Sequence, residues 1–249
     1  VPKDNLDQDA IAKNSQKEVL TAPVGDMMGQ DLGSRKKIEK AKSLIWYPAE
    51  IDVSIRPGWF YHEEQDSKVK SPKELMDIYF TSVGRNGVLL LNLPPNKEGK
   101  LSEADIRSLR GFRQLYANTF TDNLLAKAKV TCALSEGKGR NVIDDNYDTS
   151  VRPKMKDGKA VFSFKLNKPA TFNVLSVQED IRKGQRVEKF SLEVKDAKGN
   201  WKKVTEGTTV GHKRLLKFPV ETAKEVRLII SEVRAVPAIS EIGLYRLRD

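Results

Sequence analysis

A chain of 249 residues carrying 31% charged and 39% hydrophobic side chains is long enough for two domains, and its mean hydropathy of −0.52 excludes neither enzyme nor binding module. No apolar run approaches the ~20 residues of a membrane span, and a single cysteine, Cys132, leaves no intrachain disulfide. The net charge of +10 is unevenly placed: residues 1–126 balance at 18 basic and 18 acidic side chains, whereas residues 127–249 carry 26 against 16.

Residues 1 to 40 are polar and unpatterned, with Gly25, Gly29, Gly33 and the basic run Arg35-Lys36-Lys37, and predict a long loop. From Trp46 to His62 the chain packs rings, carboxylates, an arginine and a histidine into seventeen residues. That mixture suits a sugar, whose apolar C–H faces take aromatic rings and whose hydroxyls take carboxylate or guanidinium hydrogen bonds. Pro57-Gly58 breaks regular structure between Arg56 and Trp59, placing both on a turn. Residues 63 to 79 predict a loop into a helix, with Ser71 as N-cap, Pro72 at the first helical position and Glu74 in the first turn. Val88 to Leu93 is a continuous apolar run and predicts a strand buried on both faces. A second helix follows, capped by Ser102, with Glu103 and Asp105 in its first turn and Ile106, Leu109, Phe112 and Leu115 at helical spacing.

After about Asp122 the period changes from helical to alternating. Phe162, Phe164 and Leu166, then Phe190, Leu192 and Val194, then Val226, Leu228 and Ile230 each skip a residue, as half-buried antiparallel strands do. Asp157-Gly158 and Lys198-Gly199-Asn200 supply turns between them. We therefore expect two domains, residues 1–122 of α/β character and residues 127–249 an antiparallel β-sandwich. The basic excess of the sandwich reads as solubility or as attraction to anionic glycans or membrane surfaces; nucleic acid is not expected, since aromatic–basic interleaving and a helix-turn-helix pattern are both missing.

Two ordered motifs carry a resemblance. Trp46-Tyr47-Pro48-Ala49-Glu50-Ile51-Asp52-Val53-Ser54-Ile55-Arg56-Pro57-Gly58-Trp59-Phe60-Tyr61-His62 and Phe80-Thr81-Ser82-Val83-Gly84-Arg85-Asn86-Gly87-Val88-Leu89-Leu90-Leu91-Asn92-Leu93-Pro94-Pro95 resemble signatures of the α-L-fucosidases of glycoside hydrolase family 29, in the form preferring α-1,3/1,4-linked fucose. The resemblance implies the last part of a (β/α)8-like barrel and an exo-acting, retaining hydrolase that removes terminal fucose from oligosaccharides or glycoconjugates without a cofactor. It implies a nucleophilic aspartate in a W-x-D setting and an acid/base glutamate in an R-W-x-G-N-E-like stretch, and neither stretch occurs in this chain. A barrel of this kind takes about 250 residues. The chain, opening at Val1-Pro2, is thus expected to be the C-terminal part of such an enzyme, partnered by its own N-terminal portion, with a periplasmic or secreted location.

Site residues follow from the same resemblance. Trp59 is expected against the C6 methyl of fucose. Glu50 is a candidate acid/base, or else hydrogen-bonds a sugar hydroxyl or Arg56. Arg56 contacts substrate or makes a loop-shaping salt bridge to Asp52 or Glu50. His62 is expected to cap or to pair with a carboxylate. The sandwich resembles the galactose-binding-like or discoidin class through Asn141 to Thr149, Gly184 to Val187 with Phe190 and Trp201, and Pro237 to Ile242. That resemblance implies a structural calcium on Asp144, Asn146, Thr149 and Glu241, the alternative being that the loop's Asx residues turn the chain without a metal. Where that class often has a tryptophan, two residues after the threonine, this chain has Val151. The rival function is a noncatalytic carbohydrate-binding or interaction module working through the sandwich alone.

Overall fold

The computed structural model describes residues 49–248; the expected loop over residues 1–40 and the rings of Trp46 and Tyr47 lie outside them. The first described elements are β1 (Glu50–Ser54), α1 (Pro72–Thr81), β2 (Val88–Asn92) and α2 (Glu103–Phe120). β1 and β2 run parallel, in register from Glu50 opposite Val88 to Ser54 opposite Asn92. Parallel neighbours need a crossover of a dozen residues or more, and here it holds a 3-10 turn, Glu63–Lys68, and then α1. α1 starts as its sequence predicts: Ser71 and Glu74 form a reciprocal capping box, with Pro72 behind the cap. Ser102 caps α2 by accepting from the Asp105 amide at 3.3 Å.

The run Val88–Leu93 departs from its expected double burial. Strand alternation places Val88 (57% exposed) and Leu90 (50%) on the same face as Glu50 and Asp52, their partners in register, and that face is open. Among the described residues only β1 pairs with this strand.

The rest of the described chain is antiparallel: β3 (Lys129–Thr131), β4 (Leu134–Glu136), β5 (Arg152–Pro153), β6 (Ala160–Glu179), β7 (Val187–Lys195), β8 (Trp201–Gly207), β9 (Arg214–Val233) and β10 (Ile239–Tyr245). Six of these form one sheet in the order β10-β6-β9-β7-β8, with β3 also on β6, while β4 and β5 pair separately. The long strands β6 and β9 break register between Lys165 and Ala170 and again between Phe172 and Val174. β3 and β7 flank one half of this pair and β10 the other, which gives the sheet its sandwich-like form. The alternation seen in sequence is the buried face: Phe162, Phe164, Phe190, Leu192, Leu228 and Ile230 are sealed from water in one core. Asp157 and Gly158 both take positive φ, as their turn requires.

A second, smaller core joins the two regions. Met76 and Phe80 of α1 pack against Val174 of β6 and Leu215 of β9, ringed by Tyr79, Phe112, Tyr116, Phe120 and Tyr245. Tyr79 meets Tyr116 edge-on at 5.3 Å, and Phe120 meets Tyr245 at 5.2 Å. Gly84 is required there: a Cβ would lie 2.5 Å from the Phe80 carbonyl and 2.9 Å from Leu215 Cβ, and its own carbonyl accepts from the Leu215 amide at 2.8 Å. Leu215→Ala is expected to cost about 3 kcal/mol, read as a lower midpoint in chemical denaturation, with helical and sheet signals shifting together because the lost contact belongs to both.

Candidate functional site

The loop from Ile55 to His62 leaves the C-terminal end of β1 and is fastened to both strands. The Ile55 amide donates to the Asn92 carbonyl at 3.0 Å, extending the parallel ladder by one residue. Ser54 Oγ donates to the Gly58 carbonyl at 2.6 Å, and Asn92 Nδ2 donates to the Trp59 carbonyl at 2.9 Å and to Ser54 Oγ at 3.2 Å. Lys70 Nζ donates to the Ser54 carbonyl at 2.7 Å from the far side of the crossover. A turn broken by Pro57-Gly58 is thereby held at three points, Ile55, Gly58 and Trp59.

Arg56 anchors this arrangement from beneath. It is 1% exposed, with Nε donating to both Asp105 oxygens at 3.1 and 3.2 Å and Nη2 donating to Asp66 at 2.6 Å, Ser102 Oγ at 2.7 Å and Asp105 at 3.1 Å. Nη1 donates to the His62 carbonyl at 3.1 Å, and the guanidinium lies 4.7 Å from the centre of the Tyr61 ring. Burial alone would lower the Arg56 pKa, but the bonds to Asp66 and Asp105 outweigh it and hold it above the ordinary arginine value. The salt-bridge partners expected from sequence, Asp52 and Glu50, are therefore replaced by Asp66 and Asp105. Both are brought in by the crossover and by the first turn of α2, contacts that neighbouring positions in sequence do not reveal.

What the loop offers to solvent is aromatic. Trp59 is 50% exposed and Phe60 77%. Glu50 is exposed at the opposite end of β1, four residues or about 13 Å of strand from Ser54. The structure thus brings Trp59 and Arg56 to one loop, one facing water and the other the interior, and leaves Glu50 apart from both. His62 meets its expectation with Nδ1 3.7 Å from a Glu64 oxygen. Ser54, Asn92 and Asp105 were missed by sequence reasoning; Asn92, the polar residue ending an apolar run before Pro94-Pro95, carried a readable signal.

In the sandwich, the loop Asp144–Thr149 is knit together: Thr149 Oγ1 donates to Asp144 at 2.9 Å, and the Asp148 amide donates to Asn146 Oδ1 at 3.0 Å. Glu241, 7% exposed on β10, has Oε2 buried without a hydrogen-bond partner. Burial first, and then the charges of Asp144 and Asp145, push its carboxyl up to about 8, against a bond from the Asp145 amide. Among the described residues no three His, Cys, Asp or Glu side chains converge as a metal site, but the predicted set holds only two carboxylates, Asp144 and Glu241. Glu241 also lines a cavity of about 120 Å³ at the seam, with Asp145, Lys213, Tyr79, Tyr116 and Tyr245. Val151, where the resembled class often has tryptophan, is fully buried and faces the core. Burial raises the Cys132 thiol to about 11.

Comparison with known proteins matches two stretches of the chain. Residues 3–115 match the family described as Alpha-L-fucosidase, and residues 127–242 match the F5/8 type C domain. Alpha-L-fucosidase 1 of Arabidopsis thaliana is 38% identical over 242 residues, covering 94% of this chain and 45% of that protein. The crystal structure of SpGH29 superposes with a TM-score of 0.76 at 37% identity, over 82% of this chain and 45% of that one. A Ruminococcus gnavus GH29 fucosidase solved in complex with fucose gives 0.74 at 33% identity, over 84% and 43%. The chain spans less than half the length of these relatives.

Removing one partner of a buried ion pair leaves the other unpaired, so Arg56→Ala is expected to destabilise by about 3–5 kcal/mol. Adding Asp105→Asn to it is expected to return part of that loss, measured as the coupling in a double-mutant denaturation cycle.

Proposed function

We propose that this chain is the C-terminal portion of a retaining exo-α-L-fucosidase that removes terminal fucose from oligosaccharides or glycoconjugates. The observation that carries the reading is Trp59, half-exposed on a stiffened loop at the C-terminal ends of two parallel strands. That is the edge at which α/β barrels place their active sites. The order β1-α1-β2-α2 supports assigning these elements, residues 1–122, to the end of a (β/α)8-like barrel, followed by the sandwich of residues 127–249. The open face of Val88 and Leu90 is then the surface that the N-terminal portion of the same enzyme covers.

In this reading Trp59 lies against the C6 methyl of fucose. Burying one methyl carbon contributes about 0.8 kcal/mol, enough to prefer fucose over a sugar lacking that apolar corner. Arg56 acts on the sugar indirectly, by fixing the loop that aims Trp59. Retention requires two carboxyl groups about 5–5.5 Å apart; we assign both to the upstream portion, since Glu50 sits at the wrong end of β1 to join Trp59. The form of the first motif favours α-1,3/1,4-linked substrates, and such glycans suit a periplasmic or secreted enzyme. Among the described residues no helix is long and apolar enough to cross a membrane.

No cofactor enters the chemistry. The donors Asp144, Asn146, Thr149 and Glu241 are all oxygen, as a hard cation requires, and the partnerless buried oxygen of Glu241 beside Asp144 and Asp145 fits a structural calcium. Bound there, the ion would neutralise these carboxylates and tie the Asp144–Thr149 loop to β10.

Two measurements test this. Release of 4-nitrophenol from 4-nitrophenyl α-L-fucoside by the full-length protein is expected to fall about tenfold or more in Trp59→Ala; unchanged turnover would remove Trp59 from the site. Adding calcium to chelator-treated protein is expected to raise its melting temperature, and Glu241→Gln to abolish that rise; no rise in the unaltered protein would remove the ion.

A further inference from the structure

Three consecutive rings, Trp59, Phe60 and Tyr61, share one loop, and the structure gives them three different environments. Tyr61 is half-buried under the Arg56 guanidinium at 4.7 Å and belongs to the scaffold. Trp59 is half-exposed. Phe60, at 77%, is the most exposed large hydrophobic side chain among the described residues.

A phenylalanine standing in water on a floppy loop would need no explanation, but this loop is pinned on both sides of the ring. The carbonyls of Gly58 and Trp59 accept from Ser54 Oγ at 2.6 Å and Asn92 Nδ2 at 2.9 Å, and the carbonyl of His62 accepts from Arg56 Nη1 at 3.1 Å. Fixed backbone on either side holds the ring out at little further entropic cost, the condition under which an exposed aromatic is an effective contact. An uncharged ring without a polar handle recognises an apolar face and ignores hydroxyl configuration.

We propose that Phe60 is the platform for the sugar on the leaving-group side of the scissile bond, stacking on its C–H face while Trp59 holds the fucose. The assignment rests on the fucosidase reading and deepens it. Because the contact is made equally in ground state and transition state, it acts on KM rather than on kcat.

The test compares Phe60→Ala and Phe60→Tyr in the full-length protein on two substrates that share the fucosyl group, α-L-fucosyl fluoride, whose leaving group is a single atom, and a fucosylated trisaccharide. Phe60→Ala is expected to lower kcat/KM on the trisaccharide about tenfold, carried by KM, and to leave fucosyl fluoride unchanged. Phe60→Tyr, which keeps the ring, is expected to restore the trisaccharide. Unchanged turnover of the trisaccharide by Phe60→Ala overturns the assignment. An equal loss on both substrates also overturns it, and places the ring against an upstream segment of the protein instead. Failure of the unaltered protein to cleave either substrate would remove the fucosidase reading itself, and Phe60 with it.

Discussion

The described structure depends on a buried ion pair. Arg56 and Asp105 both lie out of water, and neither is tolerable there alone, so the loop after β1 must close on the first turn of α2. Asp66 and Ser102 also accept from Arg56 Nη2 and the His62 carbonyl from its Nη1, so all three guanidinium nitrogens are used and the crossover is tied into the same cluster. Everything proposed for the loop follows from this: with its underside occupied by Arg56 and Tyr61, the loop turns Trp59 and Phe60 outward.

The second constraint is the seam. Aromatic side chains of α1 and α2 interleave with Tyr245 of β10, and Leu215 of β9 meets Phe80, so the sandwich is welded to the two helices. Asn86 and Gly211 press together at the same seam, with the His212 amide donating to Asn86 Oδ1 at 2.6 Å and Gly211 taking φ +66° where a Cβ would strike the Asn86 side chain. A module tethered for independent binding needs no such interlock, whereas a buttress for the strand ends does. The sandwich shares a core with α1 and α2 rather than standing apart from them, and its buried Glu241 lines the seam cavity.

Much of the fold is written in local pattern. Period-two burial at Phe162-Phe164, Phe190-Leu192 and Leu228-Ile230, the cap signals at Ser71 and Ser102, and the Asp157-Gly158 turn are legible because each rests on neighbours within a few residues. The apolar run at Val88–Leu93 was legible as a strand and misleading as to burial, since composition states that a face is apolar and not what lies over it. The site divided in the same way. Trp59 and Arg56 stand out as residue types beside a Pro-Gly turn, yet which of them faces water depends on Asp105, forty-nine residues away.

The sequence by itself determined the elements, the change from helical to alternating period near residue 122, and the aromatic loop, because hydrophobic periodicity, capping and turn chemistry act over short range. Tertiary structure alone decided that Arg56 is a buried anchor, that Glu50 stands a strand's length from Trp59, and that helices and sandwich share a core. Those outcomes depend on the desolvation of charges and the close packing of rings, which are fixed only when distant segments meet.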